Sequence, residues 1–479
     1  MNTVQRIAKN FGVLFTANMV GGILRFLCLM YAARYLGPGN FGVLSLALAY
    51  AEIFIVFSDI GLNTLTTREV AKDRSLADKY IGNLVVIKLI LIICTLGLIA
   101  LTMHFLKSPP LTQRVVYLVA LSSMCVTFRK MFNAVFCAFE KMEYVSCGEV
   151  VSGMLSLVGT LVAVKQQFDV VGIALVYFGA NLFALGYAFA VFLWRVAMPK
   201  IKIDWEFWLQ ILQQAWPLGG MALCIMIYFR IDTVMLSFMK GDMAVGTYSA
   251  AYRLSEAATV VPSVFMSSVF PLMAKYHEDS QKSFIKIYGK AVKYLFSLAL
   301  PMALVVTFFS KSIVNLIYGP NFIGTDVTLR MLIWASAIMY VTMILGTIFV
   351  TANRQMMNFR LAIIVVLLNI TLNLFLIPAY SYVGAAVSTV ATEAFGLLVG
   401  IFFLHRWGYK LDLLKICLPS LFSFCIAGVV AFIFVSMGVP YLIMSLVAIA
   451  IYGVLLYRMA MDEDDKRLIR DIFHFSYGR

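Results

Sequence analysis

Apolar residues run along this chain in blocks of about twenty, separated by short polar connections. A helix rises 1.5 Å per residue, so a block of that length crosses the hydrocarbon of a bilayer. The blocks predict about fourteen transmembrane helices, near 11–33, 41–60, 83–104, 115–139, 146–164, 170–194, 211–239, 246–270, 291–313, 327–350, 359–379, 384–405, 416–436 and 440–457. An even number places both ends on one side. The connections on that side collect about 24 Lys and Arg, against about 5 opposite. Basic loops stay in the cytoplasm, so the termini are expected there. On this reading Arg68 to Lys79 (REVAKDRSLADK) and Lys275 to Lys290 face in, while Gly37-Pro38-Gly39-Asn40 and Tyr318-Gly319-Pro320-Asn321 face out. Arg6 and Lys9 ahead of an apolar run resemble a signal peptide. No small-residue cleavage site follows and Arg25 interrupts the run, so it reads as the first retained helix.

Composition agrees with lipid as the main solvent: 62% hydrophobic, 13% charged, mean hydropathy +0.91. The formal charge of +14 invites a nucleic-acid reading, but there is no continuous basic stripe and no nucleic-acid motif, and the loop bias accounts for the excess. The eight cysteines lie in or beside apolar stretches without paired spacing and read as small apolar side chains. Four scattered histidines offer no metal cluster, and there is no P-loop or Gly-x-Ser-x-Gly. The expectation is a protein that is not an enzyme and carries no cofactor. Uphill transport would then draw on H+ or Na+, or on a gradient of the substrate itself.

An internal repeat is visible. Gly37, Gly42, Ser45, Ala47 and Glu52 recur 204 positions later as Gly241, Gly246, Ser249, Ala251 and Glu256, and Val171-Gly172 recurs 212 later as Val383-Gly384. The shifts predict two six-helix lobes inserted in the same direction, over 1–200 and 201–405, with two further helices and a tail in 406–479. The fold class is therefore all-α integral membrane. Two lobes around a central site suit alternating access, and one copy suffices for it.

Arginine occurs at depths where a membrane helix rarely tolerates it. Arg25, Arg129, Arg230 and Arg253 all fall well inside apolar spans. Holding a guanidinium in hydrocarbon costs at least ~2.5–3.5 kcal/mol. Four of them suggest a wet chamber lined with positive charge, suited to an anion. Asn18, Gly21, Gly22 and Arg25 share one helical face. The competing account pairs Arg25 with an acid on the next helix, Glu52 being the candidate. Arg230 and Asp232, two apart, each need an outside partner, whereas Arg253 and Glu256 are spaced to pair. Arg129 and Lys130 diverge by about 100°, so at most one faces a cavity. Lys88 and Lys293 read as snorkelling to headgroups. Glu52, Glu256, Glu393 and Asp232 are the candidates for ion coupling, because a deep carboxyl exchanges its proton as access alternates. Asn369 and Asn373 suit either sugar hydroxyls or a neighbouring helix.

The stretch Tyr35 to Tyr50 (YLGPGNFGVLSLALAY), then Ser58-Asp59-Ile60-Gly61-Leu62 and Thr67-Arg68-Glu69, resembles the opening of the Wzx-type polysaccharide flippases. These belong to the multidrug/oligosaccharidyl-lipid/polysaccharide exporter superfamily. Arg230 to Ser237 (RIDTVMLS), Val245 to Leu254 (VGTYSAAYRL) and Ser268 to Pro271 (SVFP) extend the likeness, which covers about residues 5–405. The resemblance implies a MATE-like fold of fourteen helices. It also implies a polyprenyl-pyrophosphate-linked oligosaccharide as cargo, carried from the cytoplasmic to the outer leaflet of the cell membrane beside glycan polymerase and assembly proteins. Arg25 matches in position the first-helix arginine of related peptidoglycan-precursor flippases, which implies a headgroup contact. Guanidinium forks suit a pyrophosphate. A cation-coupled multidrug antiporter and a non-transporting scaffold for glycan assembly are the alternatives. The excess of deep arginine argues against the first.

Overall fold

The computed structural model describes residues 3–195, 201, 203–437, 441–463 and 465–467, and among these there is no strand. The first helix, α1 (Thr3–Asp59), holds two spans joined at a break. Gly37 sits there at φ 70, ψ 172, a conformation open only to glycine, and Pro38 follows with no N–H to continue the helical ladder. Next come α2 (Leu62–Lys72), α3 (Ala77–Phe105), α4 (Pro110–Ala138), α5 (Met142–Lys165), α6 (Val170–Arg195) and α7 (Trp205–Lys240). They are followed by α8 (Asp242–Ala258), α9 (Val260–Asp279), α10 (Gln281–Ile317) and α11 (Thr325–Thr351). Helix α12 (Gln355–Arg406) is again two spans, broken at Ser381 just after Pro378. Then come α13 (Leu413–Ser436) and α14 (Tyr441–Met459).

Eleven helices among the described residues are long and apolar enough to cross a membrane. Two of them are the broken α1 and α12, and α14 adds a shorter apolar helix, which reaches the fourteen spans expected. Besides these two fused pairs, the boundaries differ at two further places. The connection around Arg68 is not a loop: Leu62, Leu65, Thr66 and Val70 recur at helical spacing and fold it as α2, with those residues buried. The span near 246–270 is two helices, α8 and α9, meeting at Thr259 just ahead of Pro262.

By packing, the chain forms two compact units. The first comprises Met1–Ala250, Ile317–Phe322 and Asn373–Tyr382. Its interior is built from Leu44, Ala47, Ile99, Val116 and Ala174 in one cluster and from Leu65, Ile81, Met131, Phe136 and Phe192 in another. Inside this unit the repeated glycines meet in pairs. A Cβ on Gly42 would collide with the Asp242 carbonyl group, lying 2.7 Å from its carbon, and one on Gly246 would collide in the same way with the Pro38 carbonyl. Pro38 and Asp242 are themselves 204 apart, as are Gly42 and Gly246, so the contact is reciprocal. Gly37 and Gly241, the repeat's first pair, both have positive φ, at 70 and 81.

The second unit comprises Ala251–Leu316, Ile323–Leu372 and Val383–Arg479. Phe284, Leu295, Ile344, Ile348 and Phe349 lie in its main cluster, and Ala427, Ala431, Met444 and Ala448 join α13 to α14. Small side chains set that approach. Lipid tails are as apolar as leucine, so helices associate through close packing and polar ties rather than through a hydrophobic drive.

Candidate functional site

Three charged residues of the first unit converge. Arg25 on α1 and Arg129 on α4 share one carboxylate, Glu149 on α5. Arg25 Nη1 lies 3.1 Å from Glu149 Oε2, and Arg129 Nη2 lies 3.0 Å from Oε1. The two arginines differ in setting: the Arg25 side chain is 52% exposed and that of Arg129 only 5%. Arg129 also donates from Nη1 to the Gly148 carbonyl at 3.2 Å, while its buried Nε has no hydrogen-bond partner among the described residues.

Glycines bring these helices together. A Cβ on Gly153 would lie 3.1 Å from the Leu24 Cβ, so the residue beside Arg25 packs directly on the α5 backbone. Gly21 sits one turn before Arg25, and a Cβ there would be 3.5 Å from the guanidinium. The arginine lies flat along its own helix and points at Glu149. The sequence candidate for its partner, Glu52, is corrected by this geometry. The α1 half beyond the break turns Glu52 to α7, where Arg230 donates to it through Nε.

Asp232, two positions on and buried, accepts from the Tyr248 hydroxyl at 2.7 Å and from Asn373 Nδ2 at 2.6 Å. Arg230 and Asp232 thus each find an outside partner, as their spacing requires. Asn373, buried, ties to a neighbouring helix here. In the second unit Arg253 Nη1 donates to Glu256 at 3.0 Å along α8, and Glu393 is buried on α12. Asn18 is exposed on α1. Lys130 is exposed while Arg129 is buried, so the pair diverges as expected.

Two lysines expected to snorkel do not. Lys88 is 0% exposed, with Nζ 2.5 Å from Asp59 Oδ1. In the second unit Lys293 donates to Asp465, which also accepts from the Tyr294 hydroxyl and pairs with Lys290 at 3.2 Å. In both cases an acid lies within reach, and a paired ammonium needs no headgroup. Burial works against the Asp465 charge, but Lys293, Tyr294 and Lys290 outweigh it and hold the carboxyl well below the usual range.

Glu149 is what sequence reasoning missed. The signal available was its place between Gly148 and Gly153 on a span that small residues allow to pack closely on α1. Chemically, the cluster offers a net positive charge whose outer member is exposed and whose inner member is enclosed and anchored.

Comparison with known proteins places this arrangement. The family model "Polysaccharide biosynthesis protein" matches residues 7–277, and the model "MatE" matches residues 217–375. The chain is 22% identical over 399 residues to the "Putative O-antigen transporter" of Escherichia coli K12, covering 82% of this chain and 95% of that one. It is 21% identical over 454 residues to the "Probable low-salt glycan biosynthesis flippase Agl15" of Haloferax volcanii, covering 94% of each. Its fold is that of the lipid II flippase MurJ in an inward closed conformation, with a TM-score of 0.74 at 16% identity over 92% of this chain and 97% of that one. The model's match to more than half of the residues, on the helices that carry Arg25, Arg129 and Glu149, shows that the chain belongs to the polysaccharide biosynthesis protein family.

Proposed function

We propose that this protein is a flippase that carries a polyprenyl-pyrophosphate-linked oligosaccharide from the cytoplasmic to the outer leaflet of the cell membrane by alternating access. The observation that carries the reading is Arg25, a half-exposed guanidinium inside a membrane span, backed by the buried Arg129 through Glu149. A cation kept at that depth is stable only beside water or an anion, and a pyrophosphate offers several acceptor oxygens to its fork. The names of the E. coli and H. volcanii relatives, an O-antigen transporter and a glycan-biosynthesis flippase, agree with this cargo. The sugar would travel in the wet chamber while the prenyl tail stays in lipid. Both termini belong in the cytoplasm on this reading, and a single copy with two lobes is sufficient.

Arg230 and Arg253, with Asn18, complete the proposed cargo contacts, while Arg129, expected among them, is enclosed and acts through Glu149 instead. Each of the three arginines holds an acid, so they act by setting the field of the chamber as much as by direct contact. Glu52, Glu256, Glu393 and Asp232 are the proposed couplers to H+ or Na+. The match of residues 217–375 to the MatE model favours cation antiport as the second reading.

One assay separates the two. Purified protein in vesicles is expected to translocate a lipid-linked oligosaccharide and to leave a cationic dye where it is. Arg25→Ala should lower the translocation rate by about tenfold or more with the protein still folded in the membrane. An unchanged rate removes Arg25 from the site. Dye efflux without headgroup transfer replaces the reading.

A further inference from the structure

Resting on that reading, we propose that Glu149 is a positioning residue that acts as an internal counter-anion: it holds Arg25 while the site is empty and gives it up to the pyrophosphate of the cargo. Two guanidiniums share one carboxylate, so the cluster keeps a net positive charge, and each arginine contacts a different oxygen. The two contacts are unequal in what can replace them. Arg129 is enclosed, also bonded to the Gly148 carbonyl, and out of reach of a solute. Arg25 is open. When an anion takes Arg25, Glu149 remains paired with Arg129, so displacement does not strand a bare carboxylate in a 19% exposed position. Without Arg129 the exchange would leave a poorly hydrated charge unpaired, which is costly. The cluster is therefore built so that its outer arginine can be exchanged while its inner one stays fixed.

The gain to a transporter is release. A cation that holds a multiply charged head with its full strength binds cargo on the loading side and retains it on the other. A carboxylate waiting at 3.1 Å lowers affinity for the head and retakes the arginine as it leaves. A merely structural Glu149 would behave in the opposite way, since its removal would loosen Arg25 and weaken binding.

The test is binding of inorganic pyrophosphate to the full-length chain in nanodiscs. Glu149→Gln should bind pyrophosphate roughly two- to fivefold more tightly than wild type, the worth of an exposed ion pair removed from competition. The gain should vanish when Arg25→Ala is added. Glu149→Asp keeps a charge beside Arg129 but shortens the reach to Arg25, so it should show the same gain in smaller measure, and it decides the matter if Glu149→Gln does not fold. In vesicles, Glu149→Gln should lower the cargo concentration for half-maximal transport and lower the maximal rate as well. Pyrophosphate binding that depends on Arg25 but is unchanged or weaker in both Glu149 variants overturns this role and leaves the flippase reading intact. Wild-type protein with no Arg25-dependent binding of pyrophosphate overturns both.

Discussion

Lys88 shows how a single side chain can mislead when read from sequence. Its stem is long enough to reach the headgroups, and that was the expectation. In the structure it stays wholly enclosed because Asp59, 29 positions earlier, is placed 2.5 Å from its ammonium. The two partners are unequal: the Asp59 side chain keeps about a quarter of its surface in contact with solvent. Removing either leaves the other without its counter-charge, a loss of ~3–5 kcal/mol for a fully buried group. Asp59→Asn should therefore cost about that range, since it abandons an enclosed ammonium. Lys88→Met should cost about 2 kcal/mol, because the carboxylate left behind is partly hydrated. Thermal melts in detergent of both variants and of the double variant should show the double costing less than the sum. Arg253 and Glu256 were legible from their spacing alone, because i and i+3 share a helical face. The partners of Arg25 and Lys88 were not, since both lie on other helices and depend on how those helices pack.

At the scale of the helix, the spans were read correctly from apolar block length, because that length is set by the bilayer and not by neighbours. What block length does not reveal is continuity. Pairs of spans expected to be joined by loops fold as the single broken helices α1 and α12, and the amphipathic α2 was hidden in a connection taken to be polar. The glycines that matter are likewise separated by context. Gly42 sits against the backbone of Asp242, while Gly97 on α3 has nothing within 4 Å of where a Cβ would be. Gly42→Ala must push two backbones apart and should cost about 1–3 kcal/mol. Gly97→Ala meets no obstacle and gains helix propensity, so it should raise stability by up to about 1 kcal/mol. Thermal unfolding of the two variants in one detergent tests the contrast, and equal midpoints would contradict it.

For the molecule as a whole, the distribution of basic loops carries the orientation proposed above, with the connection around Ser75 in the cytoplasm and that around Asn321 outside. Ser75 lies between α2 and α3 and Asn321 in the connection before α11, and both are exposed. In a background with the eight native cysteines replaced, Asn321→Cys should react with a membrane-impermeant maleimide in intact cells. Ser75→Cys should react only after the membrane is opened. The reverse pattern would invert the assigned topology. The class and the span count were available from sequence because both are written in long-range periodicity. The charge pairs between helices were not, because they are settled by packing. One consequence of the repeat reaches beyond architecture. Gly42 against the Asp242 carbonyl and Gly246 against the Pro38 carbonyl form a clasp of peptide groups that touch with no side chain between them. The touching atoms themselves are uncharged, and an ion or a cargo loosens them by leverage applied along the same helices.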